Sequence, residues 1–377
     1  MIRTIHIKNF KSIKNNKFAL RNLNLVMGLN GMGKSTFIQS LLLLKQSDKL
    51  RSGEIQLNGY YISIGNTKDA LYQYSKQESL SIEISFTDDV KQLFETNYVI
   101  EADVFNLKQK EIAENIFNEV LFSNNFQYLN ASRVDPTSIH NKSYSSVVSN
   151  NNVGNNGEYT THFIEVHGNE DIAFDNMLHS SSKVIDPITN KELINKTLIN
   201  QINLWMGEIS PDINIRTTSV PNSDFVLLEY VFKQPNFGNT NRFKPNNVGF
   251  GISYALPVVT SLLAARPGEL IIIENPESHL HPRGQAEIGK LIALAALNDV
   301  QIIVETHSDH ILNGIRVAIK QNNALIDRSA IFYFEKEVEE SEQYSKISHI
   351  SVDQNGELSQ YPKHLTDEWS NQLLKLI

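Results

Sequence analysis

The chain is 377 residues long, 41% apolar and 20% charged, with a net charge of -8 and no cysteine. This composition excludes a disordered or fibrous chain and gives room for roughly two or three structural units. The lack of cysteine excludes disulfides, thiolate metal sites and a cysteine nucleophile, and the acidic balance restricts any nucleic-acid binding to a local basic patch. The longest apolar runs, Leu41 to Leu44 and Leu270 to Ile273, fall far below the ~20 residues that span a bilayer. The opening Met1 to Ile7 alternates like a strand and lacks a signal peptide's apolar block. A cytoplasmic protein with no membrane partner is the expectation.

In chain order, Ile2 to Phe10 alternates as a strand, Asn22 to Met27 is a short apolar strand, and a Gly-rich turn leads into a helix from about Lys34 to Lys45. Glu54 to Ile64, Ser79 to Phe86 and Tyr98 to Phe105 read as strands, while Ile112 to Phe122 has helical spacing. Residues 141–160 hold six Asn and two Gly and have no periodicity, which predicts a loop or flexible excursion. Lys191 to Met206 reads as helix and Asp224 to Phe232 as strand. A second Gly-rich turn at 248–251 opens a helix from Ile252 to Ala265. Leu270 to Glu274 and Val300 to Val304 are continuous apolar strands of the kind buried in parallel sheets, each followed by a helix, Gly284 to Leu297 and Asp309 to Lys320. That alternation predicts a parallel core covered by helices. There is no internal repeat and no sustained heptad pattern, so a long coiled coil is not expected.

Four motifs carry chemistry. Gly28-Leu29-Asn30-Gly31-Met32-Gly33-Lys34-Ser35 matches the phosphate-binding pattern G-x-x-x-x-G-K-[ST]. Its glycines let the backbone curl so that N–H groups point inward at phosphate oxygens, and the following helix adds its positive end. Lys34 is expected to reach the β- and γ-phosphates, Ser35 to ligate Mg²⁺, and Thr36 to face the α-phosphate side. The apolar strand ending at Glu274 places a carboxylate where a metal is held through water. His307, 33 residues later at the end of the next apolar strand, fits a contact to the γ-phosphate or the attacking water. Gly249, Gly251 and Ser253 lie ahead of a helix; they read either as a capped helix start or as a second anion site.

Together these residues resemble ABC-type ATPases of the RecF, SMC and OLD branch. Asn9-Phe10-Lys11-Ser12 before the P-loop is similar to that branch's opening, and Ile273-Glu274-Asn275-Pro276-Glu277-Ser278-His279-Leu280-His281-Pro282-Arg283-Gly284-Gln285 with Glu305 to His310 resembles a bacterial subgroup of AAA-family or OLD-like ATPases with a C-terminal domain of unknown function. Tyr128 to Arg133 and Val153 to Tyr159 are similar to its middle region. The resemblance implies an α/β fold: an ABC-type ATPase head with a mixed sheet, its parallel core strands covered by helices, plus an inserted α+β arm. The implied divisions are 1–90 (lobe I with the P-loop), 91–245 (the inserted region with the Asn-rich loop 141–160) and 246–377 (lobe II). ATP and Mg²⁺ are the implied ligands, with Gly28, Asn30, Gly31, Gly33, Lys34, Ser35 and Thr36 at the nucleotide and Ser35 and Glu274 at the metal. Gly249, Gly251 and Ser253 would be the signature that closes on a second copy's nucleotide in a homodimeric ATP sandwich, or a higher oligomer. His279 to Pro282 would run along the interface, and Gln73 is the nearest match to the family's glutamine loop.

One departure matters. Asn275 stands where most ABC ATPases carry the catalytic glutamate, and Asn positions a water without accepting its proton. Either hydrolysis is slow and ATP acts as a clamp, or Glu277 or His307 supplies the missing function beside Lys34 and Glu274; a low intrinsic rate, raised by a partner or by nucleic acid, is expected. Seventy residues follow His307, with no clustered acids for a nuclease domain. The resemblance implies a nucleotide-dependent switch that controls an effector protein, with a nuclease in antiphage defence as the candidate effector. A RecF- or SMC-like clamp on DNA, and a module that holds ATP without hydrolysing it, remain open alternatives. Arg133 and Lys142 read as contacts to a partner or DNA, or as solvated surface.

Overall fold

A computed structural model of the protein describes residues 1–109, 111–185, 190–234, 238–365 and 372–376. The chain forms two compact units, one of Met1–Phe126, Ile326–Asp353 and Leu358–Ile377, the other of Gln127–Leu325 and Gln354–Glu357.

In the first unit, Ile2–Phe10 pairs antiparallel with both Ile13–Ala19 and Ser81–Phe86, and Lys91–Asn97, Val104–Leu107 and Glu54–Gln56 extend that sheet. Cross-strand partners Ile5 with Ile84 and Ile7 with Ile82 are fully buried, the β-branched packing that holds an antiparallel sheet together. The apolar strand Leu23–Gly28 pairs in parallel with Ser329–Glu339, which turns back antiparallel as Glu342–Ile350. The helix Lys34–Lys45 buries Phe37, Ile38 and Leu41 through Leu44. Phe37 meets Phe18 at 4.5 Å between ring centres, and Phe18 meets Phe332 at 5.4 Å. Each such side chain contributes roughly 1.5–3 kcal/mol by leaving water. The C-terminal hairpin is thus part of the sheet that presents the P-loop.

In the second unit, Leu270–Glu274 and Gln301–Glu305 pair in parallel, Leu270 opposite Gln301 and Glu274 opposite Glu305. The helix Pro282–Ala296 connects them and packs on the helix Asp309–Gln321. Ser308 caps the latter by accepting from the His310 and Ile311 N–H groups. An antiparallel sheet of Ile139–Asn141, Phe225–Gln234 and Ile213–Ser219, with helices Thr160–His167 and Leu198–Ile209, forms the insertion. The fold is therefore a mixed α/β ATPase head with an α+β insertion. Its longest helix among the described residues has 15 residues, which leaves no long coiled coil, and no described helix is long and apolar enough to cross a membrane.

Local expectations failed where long-range bonds decide. Of Glu54 to Ile64 only Glu54–Gln56 is strand; Asn58 ends it, its side-chain oxygen accepting from Gly65 N–H and the Ser63 hydroxyl. Ile112 to Phe122 yields one short turn, Glu114–Asn118, and Lys191 to Met206 becomes a helix only from Leu198. The Asn-rich segment is not an open excursion. Val153 and Asn155 are buried, and the segment is bonded to 127–134: Val153 N–H to Gln127 Oε1 at 3.0 Å, Asn130 N–H to the Asn155 carbonyl at 2.9 Å, and Val134 N–H to the Asn156 carbonyl at 3.0 Å. Aperiodic backbone is stable there because its polar groups are paired at long range.

Candidate functional site

The P-loop is built in the first unit. Gly28, Gly31 and Gly33 have φ of 136°, 77° and 101°, the left-handed region that an L side chain avoids. Gly33 is also confined by its neighbours: a Cβ there would stand within hydroxyl clash range, 2.4 Å from Ser12 Oγ, and against Ser345 Oγ as well. Lys34, 3% exposed at the start of its helix, donates to the Gly28 and Leu29 carbonyls at 2.9 and 2.8 Å. Ser35 and Thr36 follow in the first turn, where helix N–H groups have no intrahelical partner. Asn30 and Gly31 form the tip of the loop.

Two residues outside the motif shape this loop. Ser345, from the C-terminal hairpin, lies 2.7 Å from the Met32 carbonyl and 2.8 Å from Ser12 Oγ, and its N–H donates to the Ser12 carbonyl at 2.8 Å. Ser12 in turn donates to Thr36 Oγ1 at 3.3 Å. Nothing local in the sequence marks Ser345. Beside Ser12 opens a cavity of about 730 Å³ that Lys11, Tyr72, Tyr74 and Gln343 help to line. Gln73 is exposed at its rim.

In the second unit, Glu274 ends its strand with both carboxylate oxygens engaged. Tyr128 Oη donates to Oε1 at 3.0 Å and Ala131 N–H to Oε2 at 3.3 Å. Burial pushes the Glu274 carboxyl up, while these bonds and the Arg133 charge pull it back toward the ionised form. Arg133 is 4% exposed and donates from Nη2 to the Glu274 main-chain carbonyl at 2.8 Å. The expectation that Arg133 sits at a partner-facing or solvated surface is therefore wrong: the Asn-rich segment holds 128–134 inside. Burial moves its guanidinium down to about 10, against Glu274 and Glu277.

The turn after Glu274 is unusual. Asn275 has φ 45° and His279 φ 62°, conformations that Asn tolerates better than most residues. Asn275 N–H donates to the Glu305 carbonyl at 2.8 Å. Glu277 Oε1 accepts from His307 N–H at 2.8 Å, so the second unit brings Glu277 and His307 together. Gly249 is the N-cap of the helix Phe250–Leu263 and Gly251 lies in its first turn. Ser253 sits further along, its hydroxyl 3.4 Å from Tyr230 Oη. Gly251 packs on the His279 main chain, and His279 with Phe250 and Tyr254 forms a partly exposed aromatic trio, with His279 4.9 Å from Tyr254 and 5.4 Å from Phe250 between ring centres.

A glycine-rich loop that cradles a lysine at a helix start in one unit, and a carboxylate-terminated apolar strand in the other, are the features that define the class of P-loop ATPase heads. The chain belongs to the AAA domain family described as "AAA domain, putative AbiEii toxin, Type IV TA system", which matches residues 23–313, while residues 326–376 match a "Protein of unknown function (DUF3696)". No curated protein matches it. Among solved structures it is similar to an SmcHead bound to the C-winged helix domain of ScpA, at 14% identity and TM-score 0.56, covering 93% of this chain and 98% of that one. It is also similar to the Smc head domain with an extended coiled coil bound to the C-terminal domain of ScpA derived from Pyrococcus furiosus, at 11% identity and TM-score 0.53, covering 100% and 99%. The fold is that of SMC heads.

Proposed function

We propose that the protein is an ATPase of the RecF/SMC/OLD branch, a homodimeric nucleotide-dependent switch with slow intrinsic turnover that controls an effector protein. The observation that carries this reading is the P-loop, in which the Lys34 ammonium already lies on the loop carbonyls of Gly28 and Leu29. A triphosphate offers that ammonium stronger, charged acceptors. Main-chain N–H groups from Gly28 to Gly33, including Asn30 and Gly31, and the first turn at Ser35 and Thr36 would bind its phosphates.

The donors fit Mg²⁺. Ser35 hydroxyl and Glu274 carboxylate are hard oxygen ligands, and Mg²⁺ takes only one or two such groups besides phosphate oxygens and water. Among the described residues no cluster of three or more His, Cys, Asp or Glu forms a metal cage of its own. When bound, the ion neutralises charge on the phosphates. Glu277 and His307 would orient the attacking water. Its oxygen bonds to the γ-phosphorus as the bond to the bridging oxygen breaks, ADP leaves with that electron pair, and the water's proton passes to Glu277. Gly249, Gly251 and Ser253 of the second copy would close on the γ-phosphate. The toxin–antitoxin description of the family and the SMC heads seen with ScpA support a protein partner, with a nuclease as the effector we favour.

The test is ATP binding and hydrolysis by the full chain and its Lys34→Ala variant, with light scattering of Glu277→Gln with and without ATP. We expect binding to be lost in Lys34→Ala and Glu277→Gln to double in mass with ATP. A Lys34→Ala protein that hydrolyses ATP as fast as the parent would sink the reading.

A further inference from the structure

Arg133 is placed where a merely structural arginine would waste its donors. Its side chain is buried, and one nitrogen, Nη2, holds the Glu274 main-chain carbonyl at 2.8 Å. The other two, Nε and Nη1, are buried without a hydrogen-bond partner, and Glu277 Oε2 is likewise buried without one. The strongest attractive charges on Arg133 are those of Glu274 and Glu277, in that order. Buried polar groups are normally paired, and an unpaired donor of a charged group is among the costliest to bury. The other carboxylate oxygen of Glu277, Oε1, accepts from the His307 N–H at 2.8 Å.

We propose that Arg133 is a positioning residue for ATP hydrolysis. It fixes the Glu274 main chain with one nitrogen and, by its charge and through water held on the other two, orients the free oxygen of Glu277. This rests on the reading of Glu277 as the water-orienting carboxylate. Its chemical sense follows from Asn275. With an amide in the usual base position, the carboxylate three residues on must be held at a set angle by something other than the strand that carries it. A planar fork with fixed donors does that, and a lysine does not. Tyr128, from the same segment, also holds Glu274, its Oη donating to Oε1 at 3.0 Å.

The experiment compares Arg133→Lys, Arg133→Gln, Glu277→Gln and the double variant Arg133→Gln/Glu277→Gln in the full chain with ATP and Mg²⁺. Single-turnover hydrolysis, ATP affinity and thermal melting are read on each. We expect Arg133→Gln to slow hydrolysis about 10- to 100-fold, as loss of an outer-shell partner does, with ATP affinity within about twofold. The double variant should be no slower than Glu277→Gln alone, since residues acting as a unit are non-additive. Arg133→Lys, which keeps the buried charge, should melt near the parent yet still be slowed. Independent, multiplying losses in the double variant overturn the proposal, as does Arg133→Lys turning over at the parental rate. So does ATP affinity that falls as far as the rate. Failure of the broader reading looks different: it is a parent chain with no Lys34-dependent hydrolysis at all.

Discussion

Gly251 lies so close to His279 that a Cβ on it would stand 2.4 Å from the His279 carbonyl oxygen and 2.9 Å from Leu280. The start of the helix Phe250–Leu263 and the turn after Glu274 are therefore locked to each other within one unit. Gly251→Ala must push the two apart, at a cost of about 1–3 kcal/mol for overpacking. Its Lys34 loop is untouched. The expected outcome is unchanged ATP affinity by titration with a lost or strongly weakened ATP-driven dimer by light scattering; an intact dimer would separate this turn from assembly.

Asn275 carries a φ of 45° that Asn tolerates, and no side-chain partner for its buried Oδ1. Asn275→Glu restores a proton acceptor at the position where related ATPases carry one. We expect hydrolysis to rise by about 10²-fold, the low end for an added general base, against a fold penalty of about 1–2 kcal/mol for a longer side chain in the left-handed region. Steady-state phosphate release measures the first and thermal melting the second. An unchanged rate would mean that base strength does not limit turnover.

Ser345 ties the C-terminal hairpin to the P-loop through the Met32 carbonyl at 2.7 Å and Ser12 Oγ at 2.8 Å. Ser345→Ala removes a buried hydrogen bond of roughly 1 kcal/mol. The loop then loses one of its fixed points, and ATP should bind about fivefold more weakly while the melting point falls by only a few degrees. Equal affinity in the variant would show that the loop holds its shape without the hairpin.

Lys45 ends the P-loop helix with its ammonium 2.7 Å from the Ser123 carbonyl and 4.7 Å from the centre of the Phe126 ring, and burial moves it down to about 8. In the unfolded chain it titrates near 10.5. Between those values the unfolded chain binds the extra proton, so this group makes the fold more stable as pH rises from about 8 to about 10.5. Below about 8 the cost of burying the charge is present in full. The parent should therefore gain melting temperature relative to Lys45→Met over that range. A constant difference between the two across pH would remove the assignment.

The short-range signals in the sequence were enough for the ATPase class and for the identity of its loop. Glycines at 28, 31 and 33 before Lys34 give the backbone the left-handed conformations that a phosphate loop needs, and the apolar strands ending at Glu274 and Glu305 are buried in a helix-covered sheet. Those are local constraints of sterics and periodicity, written in consecutive residues. Only the tertiary structure decided what surrounds them. Arg133 looked like a surface cation until the Asn-rich segment, bonded along 127–134, turned it onto Glu274. Ser345 gave no signal because its partner, Met32, lies 313 residues away. Contacts of that separation come from packing, where a hydrogen bond's value depends on what else is buried beside it, and no window of neighbouring residues contains that information.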